Sequence, residues 1–146
     1  MEGRFSAFTY LISSLNRYIR KIKTEEVLEY ELKSPHVSCL YYIHKAGKIT
    51  AKELCDACGD DKGAVSRSLE SLEKKGLVTG APIEGKKYKM PLILTEKGTA
   101  IAEDLSKKID NALEKAGEGL SEEDRITMYR SLEIINRNLS ELCKKY

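Results

Sequence analysis

Asp60-Asp61-Lys62-Gly63-Ala64-Val65-Ser66-Arg67-Ser68-Leu69-Glu70-Ser71-Leu72-Glu73-Lys74-Lys75-Gly76 is the stretch on which the fold turns. It reads as one short helix. Asp60 or Asp61 supplies a side-chain acceptor for the free backbone N–H groups of a first turn, and Gly76 suits the left-handed residue that ends a helix. Val65, Leu69 and Leu72 recur at helical spacing and define a buried face. At about 100° per residue the opposite face carries Gly63, Arg67, Glu70 and Lys74, with Lys62 and Ser66 beside it. Small and basic residues thus crowd the front of the helix. A helix that enters the DNA major groove needs that layout, because its first turns approach base edges closely while presenting donors. An ordinary solvated amphipathic helix would show much of the same pattern, so its neighbours decide.

Upstream, Thr50-Ala51-Lys52-Glu53 matches a capping box and opens a short helix whose apolar side is Leu54, Cys55 and Cys58. Gly59 ends it one residue before Asp60, which makes a helix-turn-helix with the quoted stretch. Before that, Ser34-Pro35 offers a cap and a proline at the first helical position, with Val37, Leu40, Tyr41 and Ile43 or His44 inward and Gly47 at the end. Residues 5–23 place Phe5, Phe8, Ile12, Leu15, Ile19 and Ile22 on one helical face, with basic residues mostly elsewhere. The charged residues at 25, 26, 29 and 31 read as a connection.

Downstream, Leu77-Val78-Thr79 is short and β-prone, 80–87 holds Pro82 and Gly85, and 88–95 is extended again. That predicts a β-hairpin with Lys86, Lys87 and Lys89 at its tip and returning arm, and Leu92 and Leu94 inward. Pro91 removes a ladder donor, which argues for an edge strand. Thr95 then caps a helix carrying Ile101, Leu105, Ile109 and Leu113, broken by Gly117 and Gly119. Ser121 caps a last helix with acids in its first turn and apolar residues at Ile126, Tyr129, Leu132, Ile135, Leu139 and Leu142. The expected fold is mainly α with a small β-hairpin wing: a winged helix-turn-helix flanked by N- and C-terminal helices.

Composition agrees with a helix-rich globular chain: 146 residues, 41% hydrophobic and 33% charged. The net charge of +2 requires any nucleic-acid contact to come from local clusters. No apolar run reaches membrane-span length and the N-terminus has no signal-peptide pattern, so a cytoplasmic location is expected.

The segment from Leu32 to Gly98 resembles the MarR family of winged-helix transcriptional regulators in order and spacing. The match rests on Ser34-Pro35-His36-Val37, Thr50-Ala51-Lys52-Glu53-Leu54, Asp61-Lys62 ahead of Val65-Ser66-Arg67, Leu72-Glu73-Lys74-Lys75-Gly76-Leu77-Val78, and Leu94-Thr95-Glu96-Lys97-Gly98. The resemblance implies a homodimer in which 1–31 and 99–146 supply dimerisation helices around a DNA-binding lobe at 32–98, all one intertwined domain. It implies double-stranded DNA as partner, read as a pseudo-palindrome by a repressor that a small aromatic or anionic effector releases. By that analogy Lys62, Gly63, Ser66, Arg67 and Lys74 belong to the recognition helix, and Lys86, Lys87 and Lys89 to the wing. The family's usual wing Asp-x-Arg falls on Lys86 and Tyr88, so lysine point charges replace a planar guanidinium there.

Relatives bind aromatic acids in the crevice beside the dimer helices, which makes Tyr10, Arg17, His36 and Tyr41 the candidate effector residues. Cys55-x-x-Cys58 invites a metal or redox reading, and a thiol-sensing regulator of the same fold is an alternative function. Both cysteines, however, occupy positions that must pack inward, where cysteine acts as a small hydrophobe, and no second Cys or His pair stands at zinc spacing. Cys39 and Cys143 are assigned to packing as well. No metal or cofactor is expected, and no enzyme: nucleophile elbow, P-loop and dinucleotide fingerprints are missing. A winged helix used as a protein-interaction module is the remaining alternative.

Overall fold

The computed structural model describes residues 3–80 and 90–146. Helix α1 spans Arg4–Glu26, and α2, Ser34–Ala46, follows a 3-10 turn at Leu28–Tyr30. Strand β1 is Ile49–Thr50, and α3 (Ala51–Cys58) and α4 (Lys62–Lys74) form the helix-turn-helix. Strands β2 (Val78–Gly80) and β3 (Pro91–Leu94) precede the long helices α5 (Glu96–Ala116) and α6 (Glu122–Cys143). Two compact units result, 1–109 and 110–146.

In the first unit the core is built from Val37, Leu40 and Ile43 of α2, Leu54 of α3, Val65, Leu69 and Leu72 of α4, Leu77, Leu92, Ala102 and Leu105. The connection after α1, read from sequence only as charged, contributes Val27 and Leu32 to that core. Glu31 between them takes a left-handed backbone, φ 55°, which returns the chain into α2. The Tyr30 hydroxyl donates to Asp104 at 2.6 Å, and Lys108 bridges Asp104, Glu29 and Glu26, so this connection is tied to α5. The Asp104 hydrogen bond pushes the Tyr30 phenol up to about 12, and it holds Asp104 below the usual carboxylate range.

The sheet differs from the expected hairpin. It has three antiparallel strands in the order β1-β3-β2, with Ile49 opposite Leu92 and Val78 opposite Leu94. β3 is therefore central, and Pro91 is not on an edge strand. It is tolerated because it is the first residue of β3, paired with Thr50. A two-residue strand leaves no periodic trace in sequence, so β1 was invisible there.

The caps explain where the helices begin. Thr50 Oγ1 accepts from Glu53 N–H while the Glu53 carboxylate accepts from Thr50 N–H. Asp61 Oδ1 accepts from Ala64 N–H at 2.8 Å, and Ser121 and Asp124 satisfy each other in the same way at α6. At α2 the expectation fails: Lys33, not Ser34, occupies the cap position, and the ring Nδ1 of His36 accepts its backbone N–H at 3.0 Å. Helix α5 starts where Thr95 Oγ1 accepts from Gly98 N–H and donates to Gly76 O. Gly98 is required there, because a Cβ would lie 1.9 Å from the carbonyl oxygen of Leu77.

In the second unit, Arg125 pairs with Glu114 and donates to Gly117 O, closing the turn between α5 and α6. Among the described residues, no helix is long and apolar enough to cross a membrane.

Candidate nucleic-acid interface and effector cavity

Helix α4 divides cleanly. Val65, Ser68, Leu69 and Leu72 are buried, whereas Lys62, Gly63, Ser66, Arg67, Glu70 and Lys74 are exposed. Asp61 satisfies an orphan N–H and faces the positive end of the helix dipole, which holds the first turn rigid. Lys62, Gly63, Ser66 and Arg67 thus share one end of a supported helix. Lys74 stands apart from them: it lies in the last turn and pairs with Glu70 at 3.1 Å. The wing residues Lys86, Lys87 and Lys89, and Tyr88, lie outside the described residues.

The four candidate effector residues are dispersed. Tyr10 is exposed on α1, and Arg17 lies 3.5 Å from Ser14 Oγ with its guanidinium over the ring of Tyr18. His36 is buried and serves as the α2 cap acceptor. Burial, together with the charges of Lys33 and Lys75, lowers its pKa and keeps the ring neutral. Tyr41 is half-buried, edge-on to Tyr42 and beneath Lys45.

A cavity of about 440 Å³ is lined instead by Asn16, Ile19, Arg20 and Lys23 of α1, Ser34, Pro35 and Ser38 of α2, Cys58 and Asp60. Lys23 Nζ donates to Ser38 Oγ at 2.9 Å, leaving a partly cationic wall. Sequence reasoning placed Arg20 and Lys23 merely off the apolar face of α1. Their shared side of that helix was the available signal.

Cys58 lines the cavity, and the buried Cys39 of α2 lies near it. Interaction with the Cys39 thiol, assisted by the charge of Lys23, lowers the Cys58 pKa. Interaction with Cys58 and burial raise that of Cys39, and burial raises that of Cys55. Cys143, assigned to packing from sequence, is exposed near the end of α6. Among the described residues, no cluster of three or more His, Cys, Asp or Glu side chains is arranged to hold a metal ion.

A sequence model of the MarR family matches residues 30–87, a span that includes the helix-turn-helix. Over that segment the chain is similar to the MarR family of transcriptional regulators. Its fold matches that of wild-type apo MarR from E. coli at 25% identity, TM-score 0.67, over 87% of this chain and 95% of that one. A mutant of E. coli MarR complexed with operator DNA matches at 24% identity, TM-score 0.74, over 92% and 97%. A putative MarR-family regulator from Listeria monocytogenes, complexed with a 26mer DNA, matches at 22% identity, TM-score 0.84, over 91% and 89%. Curated proteins yield no match.

Proposed function

We propose that the protein is a homodimeric, sequence-specific DNA-binding repressor, with α4 as its recognition helix. The carrying observation is the exposed quartet Lys62, Gly63, Ser66 and Arg67 at the capped front of a helix whose other face is buried. Two relatives of the same fold are complexed with DNA, which supports reading that quartet as groove-facing. Arg67 is the base reader, Lys62 and Ser66 flank it, and Lys74 with Lys86, Lys87 and Lys89 supplies charge to phosphates. The dimer is supported by apolar rows left uncovered on α1, where Phe5 is 81% exposed, and on α6, where Leu132, Leu139 and Leu142 are exposed. Two recognition helices would then read half-sites about one DNA turn apart.

The cavity between α1, α2 and the end of α3 is the proposed effector site. Arg20 and Lys23 suit a small anion, and a ligand seated against Cys58 and Asp60 would move the α3–α4 corner on which the recognition helix is mounted. Cys58 in the cavity wall favours a second reading of the same site, in which thiol oxidation rather than a ligand moves that corner.

Selection from random duplexes with the purified protein, with and without reductant, tests these readings together. A palindromic consensus supports the dimeric regulator, and a consensus bound only under reduction supports the thiol reading. Recovery of no enriched sequence overturns sequence-specific binding. Arg67→Ala should then weaken the selected duplex by about 1–3 kcal/mol while sparing random duplexes.

A further inference from the structure

Gly63 and Arg67 stand one helical turn apart on the exposed face of α4. Helical side chains lean back toward the N-terminus, so the stem of residue 67 passes over residue 63. A Cβ built at Gly63 would lie 3.2 Å from Arg67 Nη1 and 3.1 Å from Asp61 Oδ1. The guanidinium therefore lies in the notch that the missing side chain leaves. The carboxylate closing that notch is the one that caps the helix, accepting from Ala64 N–H at 2.8 Å.

We propose that Gly63 is a positioning residue for base readout: it forms, with Asp61, a seat that holds the Arg67 guanidinium forward over the first turn of α4. The inference rests on the DNA-binding reading above and specifies how its principal side chain is aimed. Three features make the seat selective. Arginine loses less freedom on meeting a base if its planar fork is already oriented. The cap carboxylate borders the same notch and places a negative charge near the exposed guanidinium. A methyl group at residue 63 would press on both partners at once. Asp61 is held by its backbone hydrogen bond, so the flexible end of Arg67 is the group that must give way, by a few tenths of an ångström.

Glycine inside a helix also weakens it, so the seat is kept at the expense of helix stability. This sets stability and specificity in opposition, a signature that a merely structural glycine would not produce.

The test compares wild type, Gly63→Ala, Arg67→Ala and the double variant in the full-length protein, on the selected duplex and on a random one. Gly63→Ala should raise the Tm of the free protein and weaken the selected duplex about tenfold, as partial loss of a bidentate contact would. The loss on the random duplex should be much smaller than on the selected one, and Gly63→Ala should add nothing in the Arg67→Ala background. Unchanged affinity for the selected duplex overturns the seat. So does an equal loss in the Arg67→Ala background, because the methyl would then be meeting DNA itself. Relaxation of the Arg67 Nε–H group by ¹⁵N NMR, without DNA, separates this proposal from the reading beneath it. An ordered guanidinium released by Gly63→Ala supports the seat even if no duplex is selected, in which case only the DNA reading falls. A guanidinium equally mobile in both proteins overturns the seat.

Discussion

Helices α4 and α6 begin alike and end differently. Each opens on a side-chain cap, Asp61 in one and the reciprocal Ser121–Asp124 pair in the other, and each repeats apolar residues at steps of three and four. In α4 the apolar row disappears into a core shared with α2 and α3. In α6 the row stays at the surface: Leu132, Leu139 and Leu142 are exposed and Ile135 is half-buried. The same periodicity therefore states that a face must be covered without stating by what. For α4 the cover is local chain; for α6 a second copy is the proposed cover, so the contrast separates what stabilises the lobe from what assembles the regulator.

The contrast breaks most sharply in the cores. Leu72→Ala should cost about 2–5 kcal/mol by urea unfolding, because it empties a fully buried site. That loss should come from the lobe itself, whereas Leu132→Ala should act through assembly, its destabilisation growing with protein concentration when followed by sedimentation and thermal melts. If Leu132→Ala shifts stability equally at every concentration, α6 is covered within one chain and the proposed dimer loses its main support.

Gly98→Ala tests how tightly the end of the wing is bolted to α5. The added methyl meets the Leu77 carbonyl, a backbone group that cannot rotate away, and overpacking of this kind costs about 1–3 kcal/mol. A neutral substitution would show that this junction yields more readily than its geometry allows.

The caps provide a smaller effect that should be equal on both sides. Asp61→Ala and Ser121→Ala each remove one acceptor from an exposed first turn and should cost about 1 kcal/mol in equilibrium unfolding. Only Asp61→Ala should also disturb binding of a selected duplex, which would separate a cap that supports a reading face from one that supports assembly.

The smallest effect is one of pH. The folded-state pKa of His36 is lowered by burial and by Lys33 and Lys75, so the neutral ring is the one the fold prefers. Its contribution is present above the unfolded value of about 6.5 and is lost as pH falls through the lower folded value. Wild type should therefore lose stability below about pH 6.5 relative to His36→Gln, whose amide oxygen still accepts the Lys33 N–H. Parallel pH profiles for the two proteins would show that His36 carries no such linkage.

The helix-turn-helix was legible in the chain because its punctuation is local. Thr50 with Glu53, Gly59, Asp61 and Gly76 act over three or four residues, and each appears where its spacing placed it. Strand β1 escaped because two residues carry no period, and with it went the central placement of Pro91. Val27 and Leu32 escaped because charged neighbours masked two isolated apolar residues whose burial depends on long-range packing. The candidate site divides in the same way. The exposed face of α4 follows from helical geometry, whereas the cavity joins side chains from α1 and α2 with Cys58 and Asp60, a convergence with no signature along the chain.

By itself, then, the sequence determined the order of the helices, most of the caps and the two faces of α4, since all of these follow from hydrogen bonds and periodicities within a few residues. Tertiary structure alone decided that Cys58 lines a cavity with residues of α1 and α2, and that His36 caps a helix. It alone decided that the end of the Arg67 side chain folds back over Gly63. Each of these is a choice of partner. A side chain's chemistry states what kind of neighbour it needs, but the packing of the whole chain selects which residue arrives within reach.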